Sequence, residues 1–176
     1  MLESLYQLVR DVPDFPSPGI LFRDITPLLL SPPGFRLAVD QIVEPFRSDG
    51  ITKVVAIEAR GFVLGAPAAL ALGAGLVLVR KPAKLPAATR RVEYQLEYGK
   101  DVLEVHADAL TPSDRVLIVD DVLATGGTAA ATVWLVEQAG SQVVGIGMLI
   151  ELADLGGRAR VGAQRRLHCV LRYPRR

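Results

Sequence analysis

The stretch "VLIVDDVLATGGT", Val116 to Thr128, decides the fold. Four apolar residues give way to two adjacent acids, Asp120 and Asp121, and a few residues on two glycines stand between threonines. "VLIV" without polar alternation predicts a strand covered on both faces, with the acids at its carboxyl end. "VLATGGT" predicts a turn, and "AAATVWLVEQAG" a helix that ends at Gly140. Acids repel anions, whereas a Gly and Thr loop ahead of a helix attracts them. Gly126 and Gly127 let successive N–H groups converge, the threonine hydroxyls add donors, and the helix start adds about half a positive charge. That loop suits a phosphate monoester, and the acids suit vicinal sugar hydroxyls or a hard cation such as Mg2+. Together they describe a ribose 5-phosphate site. A Walker A loop needs a lysine after its glycines, and "GAGLVL" and "GIGMLI" both fail to complete a G-x-G-x-x-G fingerprint.

Working outward, other apolar runs predict strands at 53–57 ("KVVAI"), 76–79 ("LVLV") and 143–150 ("VVGIGMLI"), with helical segments between them. This alternation predicts an α/β fold, a parallel sheet flanked by helices, with ligands at the carboxyl ends of its strands. Leu2, Leu5, Val9 and Val12 recur at helical spacing, as do Phe35, Val39, Ile42 and Phe46, and Pro45 should kink or end the second helix. Between Arg60 and Arg80 lie 19 uncharged residues, close to the length of a membrane span. Pro67 and the "GAG" at Gly73 to Gly75 divide them instead into a helix, a turn and a buried strand. From 92 to 106 polar and apolar residues alternate around "YGKD", the pattern of a hairpin with one wet face. The preceding "RKPAKLPAATRR" reads as a solvated loop, either a plain surface excursion or part of a lid.

Composition bounds the function. The 176 residues, half of them hydrophobic and 22% charged, fit one domain with a real core. Twenty Lys and Arg against 19 Asp and Glu leave a net charge of +1, so no overall field recruits nucleic acid or a membrane surface. The C-terminal arginines, Arg158, Arg160, Arg165, Arg166, Arg172, Arg175 and Arg176, read as scattered solvated cations. The single Cys169 excludes an internal disulfide, reads as an apolar strand residue and fits a reducing cytoplasm. The N-terminus lacks the basic start and apolar core of a signal peptide, so a cytoplasmic location is expected. His106 reads as structural.

The opening motif resembles the phosphoribosyl diphosphate (PRPP) binding motif of the type I phosphoribosyltransferase family. "FPSPGILFRDITPLL" (15–29), "IEARGFVLGAP" (57–67), "LVRKPAKLP" (78–86), "LEYGKDVLEVHADAL" (96–110) and "LIELADLGGR" (149–158) resemble, in the same order, the members that act on adenine. The resemblance covers nearly the whole chain. It implies the family's twisted parallel sheet with an N-terminal hood, about residues 1–34, and a β-hairpin lid, about residues 81–106. The implied reaction joins adenine to PRPP, giving AMP and pyrophosphate, through a transition state with positive charge on the ribose.

The same resemblance assigns roles. Asp120 and Asp121 would hold the ribose hydroxyls, and Ala124, Thr125, Gly126, Gly127 and Thr128 the 5-phosphate. Glu58, Ala59, Arg60 and Gly61 match the pyrophosphate loop, with Gly61 allowing close backbone approach, and Lys81 and Lys84 would join it. Phe22 would stack on the base while backbone groups of Leu21 and Arg23 read its edge; the Arg23 side chain is alternatively an ordinary surface charge. Glu97 and Tyr98 match the lid, Glu97 managing the proton on adenine N7. Mg2+ would be the cofactor, carried in by PRPP without a dedicated protein cage. A homodimer is implied, with no nucleic acid or membrane partner. Two other readings stay open: a PRPP-binding regulator of the same fold, and an enzyme for another purine base.

Overall fold

The computed structural model describes residues 2–95 and 100–174. Each long apolar run is a strand of one sheet. Among the described residues the sheet has the order β4-β3-β7-β8-β9, all neighbours parallel, with β3 at Lys53–Ile57, β4 at Gly75–Val79, β7 at Arg115–Leu123, β8 at Gln142–Leu152 and β9 at Leu167–Tyr173. Strand alternation distributes the side chains to two cores. Val54, Leu117 and Val119 face one; Val55 and Ile118 face the other. The first is covered by α3 (Pro32–Val43) and α4 (Arg60–Leu72), the second by α5 (Gly127–Gln138) and part of a hairpin.

The glycines of "VVGIGMLI" have a packing reason. A Cβ at Gly145 would strike the Phe46 ring, and one at Gly147 would lie 2.8 Å from Ile42 Cγ2. Phe46 and Ile42 are fully buried there, each stabilising the fold by about 1.5–3 kcal/mol. As Pro45 predicts, α3 stops at Val43 and a single 3-10 turn, Glu44–Phe46, follows. The uncharged segment divides as expected into α4, which tolerates Pro67, and β4.

Several boundaries differ from the sequence reading. The N-terminal helix α1 spans only Leu2–Gln7. Val12 instead lies in β1 (Arg10–Pro13), paired antiparallel with β2 (Leu21–Asp24) so that Val12 faces Phe22. Arg10 adds a 2.5 Å bond from Nη2 to Asp24 Oδ2, and the β-branched Val12 favours the ribbon over another helical turn. Strand β7 does not end at the acids but continues to Leu123, because β8 goes on pairing with it through Val122–Ile150 and Leu123–Glu151. Helix α5 starts at Gly127, two residues before Ala129, and stops at Gln138. The hairpin strand β5 begins at Thr89, not Val92, and pairs with β6 (Lys100–His106).

The hood and hairpin are built into the body. Leu5, Ile25 and Leu28 of the hood are buried in the first core; Ile25 leads into α2 (Thr26–Leu30). Leu103 and Val105 of β6 are buried in the second, so this half of the predicted lid is core. Cys169 lies in β9, as its apolar surroundings predict.

Candidate active site

From β3 the chain crosses to β4 on one side, and β7 pairs on the other, so strand order reverses between β3 and β7. Their ladder runs only from Lys53–Val116 to Ala56–Val119. Past that point the two chains part. The crevice outside strand carboxyl ends at such a reversal is where parallel sheets bind ligands. Here it is a cleft of about 430 Å³, lined by residues 57–60 after β3, Lys81 after β4, Tyr94, Asp101 and Leu103 of the hairpin, and Asp120, Asp121, Val122, Ala124 and Thr128 after the ladder ends.

The acids sit at its centre. Asp121 is buried and paired with Arg60. The Asp121 N–H donates to Asp120 Oδ1 at 2.9 Å. Burial and the adjacent Asp121 charge hold the Asp120 carboxyl well above the usual carboxylate range.

The glycine loop after β7 is shaped by a second chain segment. Gly126 has φ +78°, and a Cβ there would lie 2.5 Å from Gly157 O. Gly157 opens α6 (Gly157–Val161), and Arg158 holds that turn by two bonds to the buried Glu151, 2.7 and 3.1 Å long. The hydrogen bond from Arg158 keeps the Glu151 carboxyl below its ordinary range despite burial. Residues 124–129 line a smaller hollow of about 80 Å³ continuous with the cleft. The first N–H groups of α5 have no helical partner and face this end.

Other predicted residues fall as follows. Glu58, Ala59 and Arg60 line the cleft; the Glu58–Ala59 peptide is cis. Gly61 is buried behind them, where a Cβ would lie 2.7 Å from Asp120 Oδ1. Its small size therefore serves the approach of α4 to β7. Lys81 is in the cleft, paired with Asp101. Lys84 is not: it is exposed, and its carbonyl accepts from Arg80 Nη1 at 3.1 Å. Phe22 lies 5.2 Å from the Arg60 guanidinium and edge-on to Phe15, which places β2 beside the cleft. As one of two strands, β2 keeps one unpaired edge of N–H and C=O groups. The Arg23 side chain is not an ordinary surface charge. It is 8% exposed, paired with Asp11 and stacked 4.1 Å over Tyr173. Glu97 and Tyr98 lie outside the described residues.

Three groups went unread in the sequence. Arg80 donates to Glu58 Oε2 at 2.9 Å. Tyr94 Oη lies 3.2 Å from both Asp101 Oδ2 and Thr128 Oγ1. Hairpin alternation puts Tyr94 on one face with Val92, a signal that was present; the Asp101 contact arises only from strand pairing. Three of the C-terminal arginines have ion-pair partners, Arg158 with Glu151, Arg165 with Glu137 and Arg166 with Asp49, while Arg175 and Arg176 lie outside the described residues.

A model described as a phosphoribosyl transferase domain matches residues 34–170. The chain belongs to the phosphoribosyltransferase family. Among its relatives, the adenine phosphoribosyltransferase of Acaryochloris marina is 57% identical over 158 residues, covering 90% of this chain and 93% of the relative. That of Acidothermus cellulolyticus is 56% identical, covering 88% of each. The crystal structure of adenine phosphoribosyltransferase from Rhodothermus marinus superimposes with a TM-score of 0.94, at 57% identity and 98% coverage of both chains. That of the Giardia lamblia enzyme complexed with 9-deazaadenine gives 0.93 at 39% identity, covering 98% of this chain and 97% of the other.

Proposed function

We infer that the enzyme transfers the 5-phosphoribosyl group of PRPP to adenine, releasing pyrophosphate and forming AMP. One observation carries the reading: at the point where strand order reverses, a donor-rich glycine loop, an acid pair and two cations line one cleft beneath Phe22. That combination of groups suits a molecule that carries a monoester, a diol and a diphosphate. The same likeness supports adenine as the base.

In this reading Ala124 to Thr128 grip the 5-phosphate and Asp120 and Asp121 clasp the ribose hydroxyls. Their negative charge lies beside the carbon that becomes cationic, where fixed electrostatics lower the barrier. Arg60 and Lys81 hold the departing diphosphate, exchanging their present partners Asp121 and Asp101 for it; Glu58 and Ala59 shape that end. Lys84, exposed outside the cleft, contributes at most long-range charge. Phe22 stacks on the purine, and the unpaired edge of β2 at Leu21 and Arg23 offers an acceptor and a donor to an aminopurine. A 6-oxo base would leave those groups mismatched. Glu97, with Tyr98 beside it, holds the proton on adenine N7 as N9 attacks.

In this reading the metal enters already chelated by PRPP. Magnesium brought in by PRPP, with no residue of this chain assigned as its ligand, would supply positive charge to the leaving group. Leu76 and Leu78 are 41% and 36% exposed on the sheet's edge strand β4, an apolar face that supports assembly as a homodimer. Among the described residues no helix is long and apolar enough to cross a membrane; we place the enzyme in the cytoplasm, acting without nucleic acid or membrane partners.

The test is one assay: PRPP and Mg2+ with adenine, hypoxanthine, guanine or xanthine in turn, following nucleotide and pyrophosphate. AMP from adenine is expected. Product from hypoxanthine alone would overturn the base assignment, and no product from any base would point to a PRPP-binding regulator.

A further inference from the structure

Strand β5 of the hairpin lies along α5 and is fastened to it at both ends. At the helix C-terminus, Arg90 Nη1 donates to Gln138 O at 2.8 Å, a favourable place for a cation. At the helix start two consecutive β5 residues are held. The Tyr94 hydroxyl meets Thr128 Oγ1 at 3.2 Å, and Arg160 Nη2 donates to Gln95 O at 2.5 Å.

Arg160 is tied to the same helix start from the other side. Its guanidinium lies 3.2–3.4 Å from where a Cβ on Gly127 would stand. It belongs to α6, whose first residue, Gly157, packs against Gly126 and Ala124. The residues lining the monoester hollow, 120 and 122–129, do not include it. Arg160 is therefore placed to position the hairpin strand rather than to grip the phosphate. Tyr94 differs. It lines the cleft beside Thr128, so a phosphate bound to Thr128 comes within reach of the Tyr94 hydroxyl as well.

We propose that Tyr94 and Arg160 form a two-point clip between the hairpin and the phosphate loop, so that filling the monoester pocket and seating the hairpin over the cleft become one coupled event. Tyr94 senses the anion directly; Arg160 is a positioning residue that holds Gln95 while it does so. The coupling is reciprocal, as any linkage between two equilibria must be. A sugar phosphate tightens the hairpin, and a seated hairpin slows escape of the sugar phosphate. The inference rests on the ribose 5-phosphate reading of the loop.

The experiment is amide hydrogen exchange of residues 89–95 with and without ribose 5-phosphate, adenosine serving as a ligand without the anion. In the unmodified protein ribose 5-phosphate should slow exchange in β5 and adenosine should not. Tyr94→Phe and Arg160→Ala should each lose most of that slowing, with Kd for ribose 5-phosphate changed only about three- to tenfold for an exposed bond of this kind. Arg160→Lys should restore part of it. Arg90→Ala should loosen the strand yet keep the response, because its anchor is at the far end of the helix. In steady state both clip variants should lower kcat and raise the fraction of PRPP lost to water, which a seated hairpin excludes. Undiminished slowing in Tyr94→Phe and Arg160→Ala would overturn the clip while leaving the site reading intact. Failure of the unmodified protein to bind ribose 5-phosphate would instead overturn the site reading on which the clip rests.

Discussion

Substituting Gly126 by alanine tests whether the phosphate loop owes its shape to packing against α6. Two costs can be separated. At φ +78° an alanine is strained by about 1–2 kcal/mol. Its Cβ would also stand 2.5 Å from Gly157 O and 2.9 Å from Gly157 Cα, main-chain atoms that cannot rotate away. Overpacking of that kind adds about 1–3 kcal/mol. The total is about 2–5 kcal/mol. At roughly 2–4 °C per kcal/mol for a chain of this size, Tm should fall by about 4–20 °C. If the loop moves instead, the packing part appears as weaker binding of ribose 5-phosphate, about five- to 150-fold in Kd. Gly156→Ala is the control: φ is +72°, but nothing lies within 4 Å of its Cβ. It should show only the backbone cost, about 2–8 °C. Thermal unfolding and titration with ribose 5-phosphate measure both. Equal effects of the two variants on Tm and Kd would refute the packing argument.

Other outcomes follow from the same geometry. Glu97→Ala should slow turnover about 10²- to 10⁴-fold with little change in PRPP affinity, whereas Asp121→Ala should weaken PRPP binding itself; equal losses of affinity would contradict that division. Lys81→Ala should raise KM for PRPP by about tenfold or more, and Lys84→Ala by less than about twofold, since only Lys81 reaches the cleft. The Arg158 bond depresses the Glu151 carboxyl, so its contribution is present above the unfolded value of about 4.3 and is lost as pH falls through the lower folded value. Glu151→Gln should thus cost about 1–2 kcal/mol near neutrality, discounted for the half-exposed Arg158, and the Tm gap should close below about pH 4; a gap unchanged down to pH 3 would exclude the pair as its source. Burial first, and the Glu151 charge second, push the Cys169 thiol up to about 12. Iodoacetamide at pH 7.5 should leave the folded protein unlabelled, and rapid alkylation would show the strand to be open.

Much of the site could be read in one dimension because its physics is local. A loop of two glycines between threonines creates an anion site by its own backbone, and the acids precede it by a fixed number of residues. Asp120, Asp121, Ala124 and Thr128 accordingly line the cleft, and residues 124–128 the smaller hollow that shares Asp120, Ala124 and Thr128 with it. Pairing across distance was not legible. Arg23 and Lys84 lie in matching motifs, yet one is stacked on Tyr173 and the other is exposed. Tyr94 and Arg160, in contrast, stand far apart in sequence and meet at a single helix start. Boundaries failed for the same reason: the partner strand β8, not local composition, carries β7 past its two acids.

The sequence by itself determined the alternation of buried strands and helices, the anion loop and the neighbouring acids. Each depends on residues within a few positions of one another, through periodicity, backbone freedom and the free N–H groups of a helix start. Only the tertiary structure decided which charges face one another across the cleft, which glycines exist for packing, and that α6 and the hairpin meet at the glycine loop. Those outcomes depend on the order of strands in the sheet, which brings distant segments within a few ångströms and leaves no mark on the spacing of residues along the chain.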